Sequence, residues 1–215
     1  MKEPLFLGAA TAIVTPFHDN RLDLAAFDRI LEQQLAAKID AIVVCGTTGE
    51  ASTLTTEEKA TLWRHCAEYL GGRTKMIAGV GTNNTQASVA LAKLARDCGA
   101  DGLLAVTPYY NKCSQEGLAQ HYETLADATD LPLLTYNVPS RTGVDLKPET
   151  CVRLMRHANI NGIKEAGGSI SRVSKLRQLC GNAFCVWSGN DDQTVAMMAL
   201  GASGVISVLS NIRPR

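Results

Sequence analysis

Eight short apolar runs, separated by longer stretches with helical periodicity, constrain this chain more than any other feature of its 215 residues. They are GAATAIV (8–14), DAIVVC (40–45), KMIAGV (75–80), GLLAVT (102–107), LPLLTY (131–136), INGIK (160–164), FCVWS (184–188) and GVISV (204–208). Their apolar residues are nearly continuous rather than alternating, which is the pattern of parallel strands covered on both faces. Helical patterns such as LAAFDRILEQQLAAK and TTEEKATLWRHCAEYL lie between them. Thr55 and Glu58 have capping-box spacing ahead of the second, and Gly71 follows it. Pro148 opens another helix and Gly99 closes a further one. Eight strands with seven intervening helices define an α/β parallel architecture.

Periodicity does not separate a closed (β/α)8 barrel from an open doubly wound sheet. Two absences and one count do. GVGTNNT (79–85) lacks the third glycine of a dinucleotide fingerprint, no GxxxxGK[ST] loop occurs, and the number of strands is that of a TIM barrel. With 46% hydrophobic residues and no linker or charge run, residues 1–215 read as one barrel domain. The net charge of zero gives no reason to expect nucleic acid or an anionic membrane as partner. Seven cysteines without a CxxC pair suit reduced thiols in the cytoplasm, and four scattered histidines form no metal pattern.

In a barrel, chemistry sits where strands end at the C-terminal face. GTTGE (46–50) follows the second strand and reads either as a cradle for a small carboxylate, through Thr47 and Thr48, or as an ordinary turn. YNVPSRTG (136–143) follows the fifth. Tyr136 is there a candidate proton-transfer phenol or a core tyrosine, and Arg141 a carboxylate fork or a solvated charge. Lys164 ends the sixth strand, where alternation sends Lys164 and Glu165 to opposite faces. A lysine inside the barrel loses ammonium stability to desolvation, and its free amine can attack a ketone; one at the rim merely snorkels to water.

Five motifs together, GTTGE, TPYYNK (107–112), YNVPSRTG, GIKEA (162–166) and GVISV, closely resemble the dihydrodipicolinate synthase family of pyruvate-dependent class I aldolases and lyases. The resemblance runs from near residue 5 to about 211, with the motifs in the family's order and spacing. It implies a carbon–oxygen lyase that condenses pyruvate with (S)-aspartate 4-semialdehyde, the first committed step toward diaminopimelate and lysine. It further implies Lys164 as the Schiff-base residue, Tyr136 as the proton shuttle, and Thr47 as the hydroxyl linking Tyr136 to Tyr110. In the family the tyrosine matching Tyr110 reaches into a neighbouring subunit's site, within a homotetramer built as a dimer of dimers. Thr48 resembles the holder of the pyruvate carboxylate, Ile206 and Gly189 further substrate contacts, and Arg141 the anchor of the second substrate's carboxylate. No metal or diffusible cofactor is implied, because the imine with pyruvate is itself the electron sink.

Three departures carry expectations of their own. Family members usually continue past the eighth strand with a last helix and a small helical domain. This chain reads as truncated there, with strand eight expected to be uncovered and assembly impaired. SGND (188–191) has Asn190 where the family commonly has aspartate. Thr56, Lys59 and Ala87 stand where lysine-sensitive members carry histidines and a glutamate, while Asn83 and Tyr109 match, so weak or absent feedback by lysine is expected. The alternatives are another class I aldolase, of the N-acetylneuraminate lyase or keto-deoxy-sugar type, and an inactive relic.

Overall fold

The computed structural model describes residues 2–214. Strand β1 (Gly8–Ala12) leads into a two-stranded hairpin, β2 (Phe17–His18) and β3 (Arg21–Leu22), which the sequence pattern does not announce. Asp19 and Asn20 turn it with positive φ, a conformation those two side chains tolerate well. Helix α1 (Leu24–Ala36) and strand β4 (Ala41–Val44) follow, then α2 (Thr56–Leu70), β5 (Lys75–Gly79), α3 (Thr85–Asp97) and β6 (Gly102–Val106). Next come α4 (Gln115–Asp127), β7 (Leu133–Asn137), a one-turn helix α5 (Pro139–Thr142) and α6 (Pro148–Leu154). The chain closes with β8 (Ile160–Glu165), α7 (Ser171–Cys180), β9 (Cys185–Ser188), α8 (Thr194–Ala199) and β10 (Gly204–Ser207).

Strands β1 and β4 to β10 pair in parallel around a closed barrel, β10 returning to β1 through Gly8↔Gly204 to Thr11↔Ser207. Each of the eight apolar runs is therefore a barrel strand. The capping box at Thr55 and Glu58 is made in both directions, at 3.1 and 2.8 Å, and Gly71 ends the helix at φ +53°. Burial divides the apolar side chains into two layers. One lies between strands and helices, around Trp63, Tyr122, Leu103 and Phe184; the other fills the barrel interior with Ala10, Val43, Ile77, Leu134, Trp187 and Ile206.

The N-terminal segment closes the barrel floor. Phe6 stacks on Trp187 with ring centroids 5.1 Å apart, and Lys2 donates to the carbonyls of Met155, His157 and Ile160. Asn161 ties the same segment down, accepting from Leu5 N at 3.0 Å and donating to Glu3 O at 2.8 Å. Asn161 is also the extra residue of a bulge: Leu133 pairs with Ile160 but Leu134 with Gly162. The bulge brings Tyr136 level with Lys164, both facing inward.

The two faces of β10 differ: the inward face is buried, whereas Val205 on the outward face is only half-buried. Ile206 is fully buried in the interior, and the side chain of Asn211 bonds Val14 N and Ala12 O, holding the last turn against β1. Exposed apolar side chains flank this strand, among them Leu7 just before β1, Val195 and Met198 on α8, and Val208, Leu209 and Ile212 after β10.

Candidate active site

Lys164 occupies the fifth position of β8, with Tyr136 of β7 and Trp187 of β9 as its partners in register. Flanked by two aromatic residues on inward-facing positions, it is only 5% exposed, and its Nζ lies 4.5 Å from the centroid of the Tyr136 ring. Burial lowers its pKa from 10.5 to about 8; the carboxylate of Asp191 opposes that shift and the Arg141 guanidinium adds to it. Burial likewise pushes the Tyr136 phenol up, with Arg141 pulling it back. Arg141 itself is exposed on α5, so its field reaches two buried groups from the rim.

Gly189 stands directly against the lysine. A Cβ there would lie 3.0 Å from Lys164 Cε and 2.8 Å from Ala166 Cβ, so glycine is what leaves room for the amine's stem. Its N–H donates to Glu165 O at 2.8 Å and extends the ladder by one bond. Ile206 lines the interior from β10, opposite Ala10 of β1.

GTTGE forms a tight turn after β4. Glu50 N donates to Thr47 O at 3.1 Å and Ala51 N to Gly46 O at 3.3 Å, while Thr15 Oγ1 donates to Gly49 O at 2.8 Å. A Cβ on Gly49 would meet Ile13 O at 2.9 Å, and Cys45, just before the turn, takes φ +56°. Thr47 is exposed and Thr48 half-buried. Among the described residues no hydrogen bond joins Tyr136 to Thr47 or to Tyr110. Tyr110 is 87% exposed with φ +72°, its N–H bonded to Thr142 O at 3.2 Å. A single chain thus gathers Lys164, Tyr136 and Gly189 around one point, with Arg141 at the rim, and leaves Tyr110 projecting from the surface.

Two features escaped the sequence pattern. Asp191 faces Lys164 electrostatically while its Oδ2 accepts from Val208 N and Leu209 N, at 3.1 and 3.0 Å, fixing the turn after β10. Asn190, the unusual residue of SGND, bonds sideways to Gln193 at 3.2 Å. Secondly, Glu165 points outward, as alternation requires, but into a buried polar network rather than solvent. The glycine pair after it was the available signal. Among the described residues no group of three or more His, Cys, Asp and Glu side chains is set to hold a metal, and no helix is long and apolar enough to cross a membrane. All seven cysteines are free, with burial raising the thiol of Cys45 to about 12.

This geometry has close relatives. The chain is 52% identical over 211 residues to 4-hydroxy-tetrahydrodipicolinate synthase of Exiguobacterium sibiricum and 47% identical to that of Alkaliphilus oremlandii. Those matches cover 98% of this chain and 72% and 73% of the relatives. Among solved structures, the 4-hydroxy-tetrahydrodipicolinate synthase of Methylacidiphilum fumariolicum SolV superposes with a TM-score of 0.96 at 48% identity, over 97% of this chain and 70% of that one. A dihydrodipicolinate synthase variant described as the first monomeric one superposes at 0.95 with 45% identity, over 98% of this chain and 71% of its own. The profile of the Dihydrodipicolinate synthetase family matches residues 5–215, and the chain belongs to that family.

Proposed function

We propose that the protein is a 4-hydroxy-tetrahydrodipicolinate synthase, joining pyruvate to (S)-aspartate 4-semialdehyde through an imine on Lys164. The observation that carries this reading is the buried Lys164 amine, at a pKa of about 8, against the face of Tyr136. An amine lowered that far is free in a useful fraction near neutral pH, which is what nucleophilic attack on a ketone requires.

In the first step Lys164 Nζ adds to the keto carbon of pyruvate and water leaves, giving a protonated imine. The imine acidifies the neighbouring methyl group, a proton departs, and the resulting enamine attacks the aldehyde carbon of the semialdehyde. The substrate's own amine then adds to the imine carbon and displaces Lys164, closing the ring and freeing the lysine. Tyr136 gives and takes the protons of these steps, its ring lying against the amine. Thr48 holds the pyruvate carboxylate and Thr47 passes protons between Tyr136 and Tyr110. Ile206 and Gly189 shape the pyruvate side of the pocket, and Arg141 meets the second carboxylate with its planar fork.

The protonated imine supplies the electron sink, so the chemistry uses neither metal nor diffusible cofactor. The family pattern supports a homotetramer in which Tyr110 enters a neighbour's site, and the exposure of Tyr110 fits that arrangement. Seven free cysteines fit a reducing, cytoplasmic setting. The aldolase alternatives share the lysine but are less supported, since the relatives named above are all synthases of this one reaction. Borohydride reduction in the presence of pyruvate tests the reading: mass spectrometry is expected to find the reduced adduct on Lys164. An unlabelled Lys164, or labelling without consumption of the semialdehyde, would overturn it.

A further inference from the structure

The residues that follow Tyr136 and Lys164 in sequence, Asn137 and Glu165, also pair with each other in register. Alternation turns them outward, away from substrate, into the layer between barrel and helices. Isolated polar pairs such as Thr11 with Gln34 occur elsewhere in that layer, but here it holds an extended charged network. Asn137 Nδ2 donates to Glu165 Oε1 and Oε2 at 3.1 and 3.2 Å and to Asp145 Oδ1 at 3.0 Å, while its Oδ1 accepts from Leu146 N at 2.9 Å. Arg172 of α7 joins it: Nη1 donates to Asp145 Oδ2 at 3.1 Å and Nη2 to Leu146 O at 2.6 Å, while Nε faces Glu165 Oε2 at 3.1 Å as an ion pair without hydrogen-bond geometry.

Three observations show that this is built rather than incidental. Glu165 is 2% exposed and Asn137 fully buried, so the chain has accepted the desolvation of a carboxylate and an amide where aliphatic side chains would pack. Gly167 is shaped around the carboxylate: its N–H donates to Glu165 Oε1 at 2.6 Å, and a Cβ there would lie 2.6 Å from the same atom. The network also sits where the ladder runs out. Beyond the Asn137–Glu165 rung only Ala166 N to Asn137 O and Gly189 N to Glu165 O continue it, at 2.9 and 2.8 Å. Strand ends splay without further restraint, and apolar packing fixes distance better than angle. Directional bonds to two successive turns and a helix fix both.

We propose that the Asn137–Glu165–Arg172–Asp145 network is a positioning device for the reaction, holding the ends of β7 and β8 so that Tyr136 and Lys164 meet at the separation imine chemistry needs. The inference rests on the role given above to Lys164 and Tyr136. None of the four side chains lies inside the barrel, so each acts through its neighbour. A misplacement of 1 Å between reacting groups costs on the order of a hundredfold in rate. The predicted signature is therefore a fall in the rate of imine formation without a matching change in pyruvate affinity.

The test is the rate of Lys164 labelling by cyanoborohydride across a pyruvate titration, in the intact chain and in Glu165→Gln, Glu165→Asp and Asp145→Asn. Glu165→Gln keeps the shape and one acceptor but removes the charge facing Arg172. It is expected to stay folded by circular dichroism, to label at least tenfold more slowly at saturating pyruvate, and to keep half-saturation within twofold. Glu165→Asp restores the charge but withdraws it from Gly167 and Asn137, and is expected to recover less than half of the lost rate. Asp145→Asn, whose side chain reaches solvent, is expected to slow labelling about threefold. Folded Glu165→Gln labelling within twofold of the parent would overturn the proposal; should that variant not fold, an unchanged rate in Asp145→Asn would do so. If the parent chain itself is not labelled, the reading of Lys164 fails first and the positioning role falls with it.

Discussion

The side-chain nitrogen of Lys164 sits over the ring face of Tyr136, 4.5 Å from its centroid, on a neighbouring strand and in the same rung of the barrel. The aromatic face attracts the ammonium form and so recovers part of what burial takes away. Burial outweighs that attraction and brings the amine to a pKa of about 8.

Burying that amine costs stability, and the cost has a definite pH dependence. The folded chain releases the Lys164 proton at about 8, whereas the unfolded chain keeps it up to 10.5. Between those values the unfolded state binds more protons, so the stabilising effect of deprotonation accrues as pH rises through that window. Below it both states are protonated and the full penalty, roughly 3 kcal/mol at most, is present. Lys164→Met is therefore expected to melt several degrees higher than the parent near pH 7 while losing all adduct formation. The advantage should shrink toward pH 10. Equal melting temperatures at both pH values would contradict it.

The onset of imine formation with pH follows the same group. The labelling rate at low pyruvate is expected to rise with pH and level off above about 8. Asp191 and Arg141 act on Lys164 with opposite sign. Removing the negative charge in Asp191→Asn lowers the amine's pKa and moves the rise to more acidic pH; removing the positive charge in Arg141→Leu moves it to more basic pH. A rate profile measured by mass spectrometry in each variant reads the two directions, and shifts of the same sign would be inconsistent with this charge arrangement.

Nearly all of the barrel was legible because its strands are bounded sharply by glycine, proline and capping residues, as at Thr55 and Gly71. The hairpin of β2 and β3 was not, since two residues per strand carry no periodicity. Lys164 and Tyr136 could be placed at strand ends by counting. Their alignment could not, because it depends on the Asn161 bulge, which only the pairing of β7 with β8 reveals. Asp191 was obscured by its neighbour Asn190, the more unusual residue. The Glu165 network was hidden for a different reason: its members are separated by up to thirty-five positions in sequence, from Asn137 to Arg172, and a lone glutamate after a lysine reads as a solvated charge.

Gly189 is the most exacting position of the pocket. A methyl group there would press on Lys164 Cε at 3.0 Å and on Ala166 Cβ at 2.8 Å, closer than ordinary contact. Overpacking of this kind costs about 1–3 kcal/mol, and the mobile lysine stem is the part that gives way. Gly189→Ala is expected to remain folded and to label with pyruvate about a hundredfold more slowly. A variant that labels at the parent rate would show that the stem has slack the contacts do not reveal.

The family resemblance places the lysine-feedback pocket beside Asn83 and Tyr109, with Thr56, Lys59 and Ala87 at the positions where lysine-sensitive members carry histidines and a glutamate. Recognition of a free amino acid with a cationic side chain calls for an anion near its ammonium groups, and Ala87 offers none. A charge-assisted hydrogen bond of that type is worth roughly 1.5–3 kcal/mol. Lys59, half-buried at the start of α2, adds a like charge whose repulsion at 4 Å is about 1 kcal/mol in water. The backbone oxygen of Asn83 accepts from Asn111 Nδ2 at 2.9 Å. The two effects together predict affinity weaker by about a hundredfold or more than in a member that keeps the glutamate. Turnover is therefore expected to persist in sub-millimolar lysine, and the pair Lys59→His with Ala87→Glu should introduce inhibition. Inhibition of the parent chain at those concentrations would mean that lysine is held by groups other than the ones lost here.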